Sequence, residues 1–147
     1  MKYSNSAYWE IFYPFIFTLL ITIIYFLSPY NCFFDFKNLV DSSLNLFGIL
    51  IGFLITVLTI LNTIENSYTR ALKNGDSYHL LTMYLKHSIW GCFFSIICAI
   101  LYVFFINSIL DSYIKYANSI FLLTFLFAIF SSYRFIKIFL KLTLKNK

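Results

Sequence analysis

Polar and apolar positions along this chain are grouped into blocks about twenty residues long. Ile11–Leu27 is apolar except for Pro14, Thr18 and Thr22. Extended to Trp9 and Ser28, it reaches the ~20 residues that cross a ~30 Å hydrocarbon core as a helix. Three more such runs follow, at about 44–64, 88–106 and 119–138. The pattern predicts an all-α integral membrane protein, with one four-helix transmembrane domain over residues 1–147.

The polar residues between the runs refine these elements. Pro14 is expected in the first turn or two of the first helix, where a missing N–H costs little. Asn31–Ser42 reads as a greasy connector along the interface, with Asp41-Ser42-Ser43 capping the second helix. That helix meets no breaker before Asn74-Gly75, a strong stop signal. Asp76-Ser77 then caps a third helix that runs to Ile106. Each of these two helices would have about 30 residues and a length of about 45 Å. The surplus is expected to form a helical hairpin over residues 65–87, outside the bilayer. Asn107–Asn118 reads as a connector, and residues 134–147 as a basic amphipathic tail.

Small and polar residues within the runs fall on stripes. In the second helix Asn45, Gly48, Gly52, Thr56, Thr59, Thr63 and Asn66 are spaced 3, 4, 4, 3, 4 and 3 apart. At about 100° per residue they share one face. Ser88, Gly91, Ser95 and Ala99 form a similar seam in the third helix. Small residues let helices approach closely in lipid. The expected partner of each seam is the other, in the same chain or in a neighbouring copy. A second reading of the Thr56–Asn66 face is a pore lining, with hydroxyls toward water.

Composition agrees with the class: 61% of residues are hydrophobic, 12% are charged, and the mean hydropathy is +0.80. The net charge of +5 is unevenly placed. Lys37 and Lys115 are the basic residues of the first and third connectors. The other nine lie in the N-terminus, the middle hairpin and the tail. The positive-inside rule then puts both termini and the hairpin in the cytoplasm, across a bacterial inner membrane. Arg70, Lys73, Lys86, Arg134, Lys137, Lys141 and Lys145 are candidate contacts for anionic lipid or for a cytoplasmic protein partner.

Candidate chemistry is sparse. No metalloprotease, phosphate-binding or hydrolase motif occurs, so no enzymatic activity and no cofactor are expected. His79 and His87 are eight residues apart and lack further ligands. The three cysteines form no metal-binding spacing. No charge lies at the middle of any run, which argues against a coupled carrier. No aromatic-interleaved basic motif supports direct nucleic-acid binding.

The run from Asn45 through Gly48 and Gly52 to Thr56, followed by Glu65-Asn66 and the Arg70–Tyr84 hairpin, resembles small four-span proteins of bacterial anti-phage defence. It is similar to the membrane subunit of Kiwa-type two-component systems. That resemblance covers the central third of the chain. It implies a homo-oligomer that senses infection at the envelope, with a DNA-associated cytoplasmic partner on its inner face. The expected function is thus an oligomeric sensor, scaffold or effector subunit, with a tetramer as the expected size. Its rivals are a small channel lined by the threonine face, and a structural subunit of a larger membrane complex.

Overall fold

The computed structural model of the chain describes residues 5–28, 35–63, 76–106 and 111–144. Four helices account for them: α1 Asn5–Leu27, α2 Phe36–Thr63, α3 Asp76–Phe105 and α4 Asp111–Leu144. No strand occurs among the described residues. Three helices are long and apolar enough to cross a membrane: α2, α3 over Tyr78–Phe105, and α4 over Tyr113–Lys141. In α1, Phe12–Leu27 is a shorter apolar helix.

Helix boundaries depart from the sequence expectation at three places. The connector before α2 is shorter, because the cap is Asp35 and not Asp41-Ser42-Ser43. Asp35 Oδ1 accepts the Asn38 backbone N–H at 3.3 Å, while the Asn38 amide donates to Asp35 Oδ2. This satisfies an orphan donor of the first turn. Ser43 lies inside the helix instead, where its hydroxyl donates to Val40 O at 2.7 Å. Likewise α4 starts at Asp111, so most of the expected third connector is helical. At 34 residues α4 is about 51 Å long. Pro14 lies in the third turn of α1, since the helix starts at Asn5. Its carbonyl accepts the Thr18 hydroxyl at 2.5 Å. The tip of the expected hairpin lies outside the described residues. The two helices leading to it are tied together where Tyr78 Oη donates to Asn62 Oδ1 at 3.0 Å.

The helices pack in the spatial order α1–α4–α3–α2. Each neighbouring pair is antiparallel. Phe17 meets Phe130 and Phe26 meets Tyr116 between α1 and α4. His87 meets Arg134, and Tyr102 meets Asn118, between α3 and α4. One core cluster joins α2, α3 and α4 around Phe47, Leu54, Leu85 and Phe135. A second surrounds Phe36, Val40, Ala99 and Phe121.

Beside this apolar core, many small and polar residues are buried between the helices while large apolar ones are exposed. In α1 the buried face is Pro14, Thr18 and Thr22, the residues that interrupt its apolar run. In α4 it includes Asn118, Ser119, Ala128, Ser131 and Ser132. Phe12, Phe15, Phe17, Phe93, Phe94 and Phe104 point outward. Large apolar side chains outside and small or polar ones between helices are what a lipid surround favours, because lipid gives bulky residues no reason to hide.

Candidate functional site

The α3 seam is filled within the chain, by α4. Ser88, Gly91, Ser95 and Ala99 are all buried. A Cβ added at Gly91 would come within 3.2 Å of Ser131 Oγ, 3.3 Å of Ala128 Cα and 3.3 Å of Phe127 Cδ1. A side chain here would require Ser131, Ala128 or Phe127 to give by a few tenths of an ångström, so glycine suits this close approach of the backbones. The Ser88 hydroxyl, with one proton to give, lies 2.9 Å from Tyr84 O on its own helix and 2.8 Å from Ser131 O across the interface. Cys92 Sγ lies 3.6 Å from Ser132 Oγ.

The α2 stripe does not meet that seam. Asn45, Gly48, Gly52, Thr56, Thr59 and Thr63 are all exposed, and a Cβ at Gly48 or Gly52 would have nothing within 4 Å. Asn66 lies outside the described residues. What α2 turns toward the body is a heptad seam. Phe36, Ser43, Leu50 and Val57 alternate with Val40, Phe47, Leu54 and Leu61; all but the half-buried Leu50 are buried. Spacings of 3 and 4 keep such a seam on its partner. At about 100° per residue, the stripe lies half a turn away from it. Sequence reasoning missed the heptad because Leu46, Ile49, Phe53, Ile55 and Ile60, outside the seam, are as apolar as its members.

The threonines on the outward face are internally satisfied. Thr56 Oγ1 donates to Gly52 O at 2.8 Å and Thr59 Oγ1 to Ile55 O at 3.0 Å. Such back-bonding lets a hydroxyl face an apolar neighbour without leaving a donor unpaired. The face is thus small, smooth and polar without demanding water. Ile49, Phe53, Ile55 and Ile60 flank it.

The basic candidates divide. Lys86, Lys137 and Lys141 are exposed. Arg70, Lys73 and Lys145 lie outside the described residues. Arg134 is not a surface cation: only 3% of it is exposed, between α3 and α4. Its guanidinium carbon sits 4.2 Å from the Tyr84 ring centroid, and Nη2 lies 3.4 Å from His87 Nδ1. The Arg134–Lys137–Lys141 spacing implies one solvent face, but helix packing turns its first member inward.

A polar cluster marks the opposite end. Tyr102 Oη donates to Asn118 Oδ1 at 2.8 Å, and the Asn118 amide reaches Tyr25 Oη at 3.4 Å. Lys115 Nζ donates to Ser28 O at 3.1 Å and lies 5.4 Å from the Phe26 ring. No group of three metal-ligating side chains occurs among the described residues. No protein-family model matches the chain, nor does any curated protein or solved structure.

Proposed function

We propose that this is a four-span subunit of a bacterial inner membrane, with both termini cytoplasmic, that self-assembles through the outward face of α2. Its basic end, carrying Lys86, Lys137 and Lys141, docks a cytoplasmic protein. This is the arrangement of a sensor, scaffold or effector subunit in anti-phage defence, the role implied by the resemblance of its Asn45–Thr56 run.

One observation carries the self-assembly. The small and polar residues of α1, α3 and α4, such as Thr18, Ser88, Ser95, Ala128 and Ser131, are buried between helices, in α3 and α4 beside large side chains such as Leu85 and Phe135. In α2 the small residues are left uncovered: Phe47, Leu54 and Leu61 are buried, whereas Gly48, Gly52, Thr56 and Thr59 face outward. A face made for close helix approach, left open within one chain, fits a second copy of the same helix. Subunit counting in nanodiscs tests this. Wild type is expected to give a defined oligomer, and Gly48→Leu with Gly52→Leu to give folded monomers. Unchanged assembly in that variant would refute the interface.

The outward hydroxyls of Thr56 and Thr59 favour a second reading, a pore enclosed by several α2 helices. Liposomes containing the purified protein separate the two. Ion leakage abolished by Thr59→Leu supports the pore, and a tight seal in an intact oligomer removes it.

A further inference from the structure

A cavity of about 310 Å³ opens between the start of α2 and the end of α3. It is lined by Lys37, Val40, Asp41, Tyr102, Val103 and Ile106. That size is at the lower end of the ~300–1,000 Å³ range of small-molecule sites. Lys37 and Asp41 are both exposed. They stand four residues apart on α2, so their Cβ atoms are about 5–6 Å apart on one face. Among the described residues neither takes part in a hydrogen bond or ion pair. The neighbouring carboxylate, Asp35, is already committed to capping α2 through Asn38. The Tyr102 hydroxyl is likewise committed, to Asn118, so Tyr102 offers the cavity its ring.

The position of the cavity along the helices narrows its occupant. From Ser42 to Thr63 α2 carries no charge, and α3 carries none from Ser88 to Phe105. Lys37 and Asp41 therefore stand at the border of the apolar zone, at headgroup depth. Val40, Val103 and Ile106 supply an apolar floor. An adjacent cation and carboxylate above an apolar floor are complementary to a lipid whose headgroup carries a phosphate and a primary ammonium joined by a short linker.

We propose that this cavity is a binding site for a phosphoethanolamine-type phospholipid, with Lys37 on the phosphate and Asp41 on the ammonium. The lysine serves as a point charge for phosphate oxygens. The Asp41 carboxylate accepts hydrogen bonds from the ammonium, which has three protons to donate. A choline headgroup has no such proton, and a glycerol headgroup has no cation. The site therefore selects among phospholipids by headgroup, with the acyl chains lying over Val103 and Ile106. The inference depends on the membrane placement of α2 and α3 but not on self-assembly through α2.

Native mass spectrometry of the full-length, delipidated protein in detergent provides the test. Dioleoyl lipids with ethanolamine, choline and glycerol headgroups are titrated against wild type, Lys37→Gln and Asp41→Asn. Helical content and melting temperature serve as folding controls. Wild type is expected to prefer the ethanolamine lipid by about tenfold, the equivalent of one charge-assisted contact. Asp41→Asn removes the preference while leaving the other two lipids unchanged. Lys37→Gln weakens all three. Exchanging the two charges, Lys37→Asp with Asp41→Lys, restores the preference. Equal binding of the three lipids by wild type, or a preference that survives Asp41→Asn, would overturn the assignment. Water-soluble phosphoethanolamine is the arm for a non-lipid ligand. If it binds as tightly as the lipid, the apolar floor contributes nothing and the lipid assignment falls. A site that binds as expected in a protein that stays monomeric would sink the self-assembly reading and leave this one standing.

Discussion

Arg134 lies with its guanidinium 4.2 Å from the Tyr84 ring centroid, and both side chains are buried between α3 and α4. A planar cation on an aromatic face contributes up to about 2 kcal/mol when desolvated. Lysine keeps the charge but loses the flat stacking surface. Arg134→Lys is therefore expected to lower stability by about 1–2 kcal/mol. Lys137→Gln, an exposed change one turn away, should stay within about 0.5 kcal/mol. Thermal melting in detergent, followed by helical circular dichroism, reads both.

The glycines of α2 and α3 should respond oppositely to added bulk. At Gly91 even a methyl group meets the Ala128 backbone at 3.3 Å, so Gly91→Leu is expected to separate α3 from α4. At Gly48 and Gly52 space is open, and alanine gains about 0.8–1.0 kcal/mol of helix propensity per site. Gly48→Ala and Gly52→Ala should therefore keep or raise the melting temperature of the monomer. Protease resistance of the monomeric fraction distinguishes the two classes.

The Tyr25–Asn118–Tyr102 cluster links three helices through one amide side chain, which accepts a hydrogen bond from Tyr102 and donates one to Tyr25. Interhelical bonds of this kind average about 0.6 kcal/mol and reach about 1.7 in membrane proteins. Asn118→Leu is expected to cost about 1–2 kcal/mol. Adding Tyr102→Phe should cost little more, since the shared bond is already gone. A double-mutant cycle measures the difference.

The helical class and the existence of three long apolar helices were legible in the sequence because apolar run length alone determines them. Helix partners were not. Gly91 and Gly48 carry the same local signal, yet one is buried against α4 and the other faces outward. Spacing shows that a face is small but not what covers it. Thr18 and Thr22 looked like interruptions of a lipid-facing run, although they are the side that α1 buries. The recurrence of basic residues every 3 or 4 positions groups Arg134 with the accessible docking cations Lys137 and Lys141. Only the approach of Tyr84 and His87 from another helix reveals the burial of Arg134. The Lys37–Asp41 pair was hidden by the expectation that the helix begins after it.

That α1 packs on α4 also bears on how the protein is made. The two helices are neighbours in space, but about 80 residues of synthesis separate them, or roughly 4–16 s at ~5–20 residues per second. Over that interval the Pro14–Thr18–Thr22 face has no α4 to cover it, and once α3 is made its Ser88–Ala99 face joins it. A nascent chain arrested before α4 thus leaves two small, polar seams without their partner helix at once. Both are the kind of surface that membrane insertion chaperones and quality-control proteases can bind, and the arrival of α4 covers both in one step.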